Sequence, residues 1–184
     1  MLCTTAVGLS GGLVPALFAA ERRSKFPGFE VQDVRVVSHL AHRYHGWPTL
    51  ARRKNGQLLL VCSGGRESHV CPFGRVELMR SDDGGGHWSW PQTLIDSAID
   101  DRDAGVLETP RGSLLVTTFT SLAFEQPSYF AKTDKQRVAR WEAARDRVPE
   151  PARKKMLGEW IIRSTDGGQN WSAPSRCGVN SPHG

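Results

Sequence analysis

Four acidic or basic residues in a row, Asp100-Asp101-Arg102-Asp103, set carboxylates beside a guanidinium. Asp103 is a candidate general acid or base, provided that burial raises its pKa. Arg102 would supply the flat fork of donors that suits a carboxylate or sugar hydroxyls. The plainer reading of the same run is a surface turn closed by an Asp–Arg pair. A second run, Gly64-Gly65-Arg66-Glu67-Ser68-His69, offers Arg66 for the same task. It fits equally well an ion pair between Arg66 and Glu67 or another neighbour. His45-Gly46 and His183-Gly184 repeat one dipeptide, which makes His45 and His183 further candidates for ligand binding. His42, His45 and His69 lack metal-ligand spacing, so neither metal nor cofactor is expected.

Such residues need a frame, and self-similarity in the chain supplies one. Residues 78–91 and 161–174 both read as an apolar strand, then Ser-x-Asp-x-Gly-x-x-Trp, then a proline. The first octamer carries Ser81, Asp83, Gly85 and Trp88; the second carries Ser164, Asp166, Gly168 and Trp171. In such a turn the Asp accepts backbone N–H bonds, Gly supplies a positive φ and Trp packs over the loop. Upstream of the first, Asn55-Gly56 parts two strand-like runs, a strong hairpin signal. Upstream of the second, Pro110-Arg111-Gly112 does the same. The unit is strand, tight turn, strand, loop, strand, Asp-box turn, strand, and it occurs twice. Nineteen glycines and six tryptophans agree with an all-β repeat chain.

The second unit carries an insertion at about residues 124–156. Thr133-Asp134-Lys135-Gln136 fits a capping box, and Val138, Trp141, Arg145 and Val148 fall at helical spacing. Pro149 and Pro151 stop the run, so a helix is expected from Asp134 to Val148. Basic residues concentrate here and account for much of the net charge of +5. No nucleic-acid motif accompanies them, and a solvated helix face is the simpler account. Residues 2–20 are uncharged and end in small residues, like the core of an export signal, although the basic start is missing. Gly and Pro within them argue against a membrane span. Phe29 to Val37 alternates like a further strand. Cys62 and Cys71 stand at the two ends of one loop, where a disulfide and two unpaired thiols are both open.

The Ser-x-Asp-x-Gly-x-x-Trp turns resemble those of Asp-box, or BNR-repeat, proteins, and the blade pattern is similar to the sialidase superfamily. The resemblance runs from about Phe29 onward and implies a β-propeller, six-bladed in that family. The first blade would span about residues 45–96. The second would span about 101–180, within an incomplete propeller at 24–184 that follows the signal-like segment at 1–23. It implies a glycoside hydrolase acting on glycans from their ends, or alternatively a non-catalytic propeller that binds glycans or proteins. A fragment with two blades would be inactive alone. Sialidases use a Tyr–Glu nucleophile pair, an Asp acid/base and three carboxylate-gripping arginines. Where the family has Arg-Ile-Pro, this chain has Gly46-Trp47-Pro48; Arg66 matches the family arginine after the second strand, with no Asp following before the third.

Strands of a blade alternate in direction, so the Asp boxes share one face, and the inner-strand entries and two-to-three loops share the other. On that second face fall Arg43, His45, Arg66, Glu67, His69, Asp101, Arg102, Asp103 and His183, with the helical insertion beside them. The expected partner is a glycan or another polar or acidic small molecule, with neither nucleic acid nor a membrane span.

Overall fold

Strand β1, Tyr44–Arg52, turns tightly at Asn55-Gly56 into β2, Leu58–Arg66. Strands β3, Arg75–Ser81, and β4, Gln92–Ile95, complete a four-stranded antiparallel sheet in the order β1-β2-β3-β4. The pattern then repeats with β5, Asp100–Glu108, β6, Leu114–Ser121, β7, Glu159–Ser164, and β8, Ser175–Arg176. This is a computed structural model, and it describes residues 42–178 together with 28, 30, 33–38 and 40. The chain divides after Val36, and both sheets lie in the second unit. In the first unit Arg35 bonds Asp33, and the described residues 33–36 form no strand. Val34 and Val36 are exposed there, so alternation at those positions does not reflect a half-buried strand. The signal-like segment lies outside the described residues.

Hydrophobic alternation explains how the sheets stack. Leu59, Val61, Val76 and Leu78 of the first sheet are buried against Ala104, Val106, Leu114, Val116 and Ile162 of the second. Polar bonds tie the same two layers: Thr49 Oγ1 donates to the Ala104 carbonyl at 2.9 Å, and Arg53 Nε to Glu108 at 3.2 Å. Each sheet is mainly apolar where it meets its neighbour, so neither would be stable as a lone layer.

Both Asp boxes are built as hydrogen-bonded turns. Ser81 Oγ donates to Asp83 Oδ1 at 2.8 Å and accepts from the Gly85 N–H at 2.9 Å; Asp83 Oδ1 also accepts from the His87 N–H at 2.8 Å. Ser164, Asp166, Gly168 and Asn170 repeat the arrangement. Gly85 and Gly168 sit at φ of 97° and 90°, where a side chain would be strained. Trp88 and Trp171 each donate Nε1–H to the carbonyl of the box glycine three residues before, at 3.2 Å. The N–H groups of His87 and Asn170, with Ser81 and Ser164, stabilise the ionised carboxylates of Asp83 and Asp166 and hold both well below the usual range.

The insertion differs in detail from the expected single helix. A 3-10 turn at Ala123–Glu125 and a short helix α1 at Pro127–Phe130 precede α2, Lys135–Asp146. Asp134, not Thr133, caps α2, accepting from the Arg137 N–H at 2.9 Å. Pro149 and Pro151 end α2 but also open a third helix, α3, Glu150–Met156, because proline is tolerated in a first helical turn. Trp141 and Phe124 pack with Val70, Cys71 and Ile99 in a second small core under the insertion. Cys62 and Cys71 are both buried free thiols; burial pushes the Cys62 thiol up to about 12.

Candidate functional site

The register places the Asp boxes and the inner-strand entries at opposite ends of each sheet. Ser81 pairs with Leu58, beside the hairpin turn, whereas Arg75 pairs with Gly64 at the far end. Tyr44 and Asp100 open β1 and β5 at that far end. Each inner strand carries a bulge there, between Gly46 and Thr49 in β1 and between Arg102 and Gly105 in β5. A bulge re-aims the side chains around it. The residues at the two bulges, Trp47 and Asp103, have φ of 51° and 47°, the left-handed values of non-glycine residues among those described. Strain of this kind persists where the surroundings hold it, and it gathers at functional sites.

Arg66 turns out to be a strut. It is fully buried, and its guanidinium grips Asp100 in a two-bond fork at 2.6 and 2.8 Å. Its remaining donors go to the carbonyls of Ser68, His69 and Asp101. All five N–H groups are thus engaged, and none is left for a ligand. Gly74 makes the pair possible: a Cβ there would stand 2.0 Å from Asp100 Oδ1 and 2.2 Å from the Arg66 guanidinium. The expectation that Arg66 binds substrate is corrected on this geometry.

Arg102 is in the opposite position. It is 6% exposed, yet its Nε has no hydrogen-bond partner among the described residues. Its guanidinium lies 4.7 Å from the Trp47 ring and 5.9 Å from the Phe119 ring, two cation–π contacts. Asp100 stands 3.9 Å away, a long ion pair. Its Nε–H is therefore unused, which is costly in a buried position. Trp47 also meets His69 at 4.9 Å between ring centroids, and Tyr44 at 6.2 Å.

Asp103 reaches the same rim and is exposed. Its N–H donates to Ser63 Oγ at 2.9 Å, which fixes the bulge. The raised carboxyls are its neighbours: burial lifts Asp100, and it lifts Asp101 to about 7. Asp101 faces the Ser97 N–H at 2.6 Å and is fully buried, away from the rim. The His69 imidazole is pushed down by burial and by the positive charges of Arg102 and Arg66, partly offset by Asp103. His45 is engaged elsewhere, 3.4 Å from Glu77 and within reach of Ser38. His183 lies outside the described residues.

The structure thus gathers Tyr44, Trp47, His69, Arg102 and Asp103, aromatic platform and charged groups together. Residue types alone pointed to Arg102 and Asp103 but not to Tyr44, Trp47 or Phe119. A tryptophan at a strand entry, beside a glycine, was the available signal. Among the described residues no cluster of His, Cys, Asp or Glu could hold a metal ion, and no helix is long and apolar enough to cross a membrane.

No protein-family model matches the chain, and no curated protein matches it. Among solved structures, a protein of unknown function from Dyadobacter fermentans is similar, with 20% identity and a TM-score of 0.53. That match covers 76% of this chain and 38% of the other. A Hadza microbial sialidase is similar at 18% identity and a TM-score of 0.44, over 76% of this chain and 26% of its own. The chain spans well under half the length of these structures. The first likeness is one of fold alone: a mainly β chain of two four-stranded antiparallel sheets, consistent with propeller blades.

Proposed function

We propose that the two sheets are successive blades of a sialidase-like Asp-box β-propeller, a glycoside hydrolase that acts on glycans. Its ligand face is the end of the sheets that carries Arg102. One observation supports this reading above the rest: a buried guanidinium beside two aromatic rings whose Nε–H has no hydrogen-bond partner among the described residues. Arg102 would donate to a carboxylate or to ring hydroxyls of the sugar. Trp47 and Tyr44 would offer their rings to its apolar face. Asp103, exposed at the rim, is the acid/base residue of this reading. Residues 2–20 would serve as an export signal, placing the protein where glycans are met.

Binding on a glycan array tests the site. The 184-residue chain should bind acidic glycans without releasing sugar, and Arg102→Ala or Trp47→Ala should abolish binding. Binding indifferent to both substitutions would remove the site. In a longer protein with further blades, Asp103→Asn should abolish release of free sugar while leaving binding intact.

A second reading is a propeller that binds glycans or proteins without catalysis. Gly46 in place of the family arginine, and the full engagement of Arg66, favour it. Array binding with no sugar released by the longer protein would support this reading over the first.

A further inference from the structure

The helical insertion departs from the repeat and walls a space beside the β2–β3 loop of the first sheet. Between α2, the loop after β2 and residues 96–98 lies a cleft of about 680 Å³. That volume falls within the usual range of ligand pockets, about 300–1,000 Å³. Four guanidinium groups line it: Arg43, Arg75, Arg140 and Arg147. Glu67 and Asp96 are the carboxylates of its wall.

The charges do not cancel. Glu67 is already held by Arg140, at 3.0 and 3.2 Å, and by Trp141 Nε1 at 3.1 Å, with Arg137 at 3.7 Å. Arg75 pairs with Glu77 at 2.7 Å. Arg43 and Arg147 have no carboxylate within ion-pair distance among the described residues, and they approach the cleft from different elements. A solvated helix face would account for Arg140 and Arg147, but not for their convergence with Arg43 and Arg75 in a concavity. Phe73 and Val148 add an apolar patch.

The walls are fixed before any ligand arrives. Trp141 is buried and anchors α2 to the β2–β3 loop through Glu67. Arg153, also buried, closes the end of α2 by donating to the Arg145 and Val148 carbonyls while paired with Glu125 at 2.5 Å. A site held in this way loses little freedom on binding.

We infer that this cleft is a second ligand site, distinct from the Trp47–Arg102 rim, which takes an oxyanion group through Arg43 and Arg147 with an apolar body against Phe73. Carboxylate, sulfate and phosphate share that chemistry, and the inference does not rest on the glycan reading.

Calorimetric titration of the 184-residue chain at low salt tests it, with inorganic phosphate, inorganic sulfate and benzoate as separate probes. At least one should bind saturably with one site, and the probe that binds identifies the anion class. The double variant Arg43→Ala/Arg147→Ala should weaken that binding about tenfold or more. Both side chains are exposed, so the fold should survive, and a thermal melt checks this. Arg147→Glu should abolish binding by charge reversal. Trp47→Ala should leave it unchanged, which separates this cleft from the rim site. No saturable binding of any probe, or unchanged binding by the double variant, would overturn the inference.

Discussion

Trp47 and Asp103 occupy the same step of two inner strands and share a left-handed backbone, at φ of 51° and 47°. One aims an indole and the other a carboxylate toward the same rim. For Asp103 this predicts a trade of function against stability. Asp103→Gly should relieve the strained backbone and stabilise the fold by up to about 1 kcal/mol, while removing the carboxylate. Urea unfolding measures the gain. A clear loss of stability would mean that the Asp103 side chain itself holds the bulge.

Arg66 and Asp100 join the two sheets through a fully buried fork. Removing one partner leaves a buried charge alone. Arg66→Ala or Asp100→Ala should each cost about 3–5 kcal/mol. Arg66→Ala/Asp100→Ala, which removes both charges, should cost less than the sum of the singles. Denaturant melts of the four proteins give the coupling. Additive losses would contradict the pair.

Asp101 predicts an unusual pH dependence. Burial raises its carboxyl to about 7; bonds from Ser97 oppose the shift, and Asp100 and Asp96 add to it. Its Oδ1 has no hydrogen-bond partner among the described residues. The folded chain therefore holds this proton more tightly than the unfolded chain. Stability from the neutral acid is present below about pH 4 and is lost as pH rises toward 7, then changes little. Melting temperature should fall across that window in the wild type and fall less in Asp101→Asn. Equal slopes for the two would refute the assignment.

Arg80 and Arg163 stand at equivalent positions before the two Asp-box serines, yet only Arg80 reaches across to the neighbouring box. It donates to the Gly168 carbonyl at 2.7 Å, whereas Arg163 donates to Ser113 within its own sheet. Arg80→Ala should cost about 1.5–3 kcal/mol and speed amide exchange around Gly168. Arg163→Ala should leave that exchange unchanged. Hydrogen exchange read by mass spectrometry distinguishes the two.

The amino-acid sequence by itself determined the repeat. Asn55-Gly56 and Arg111-Gly112 turn because glycine takes a positive φ, and Ser-x-Asp-x-Gly-x-x-Trp closes through bonds that span four residues or fewer. Such interactions are local, so their pattern is written along the chain. α2 was legible for the same reason, through its periodicity, whereas α3 was hidden by prolines that read as stops. Which charged groups are free for a ligand was decided by the tertiary structure alone. Arg66 and Arg102 look equivalent as residue types, but Asp100, 34 residues from Arg66, engages one and barely touches the other. Asp101 and Asp103 differ in burial only because a bulge turns one inward and one outward. Pairings of that range depend on how two sheets stack, and hydrophobic alternation specifies the stacking without specifying which polar group each side chain will meet.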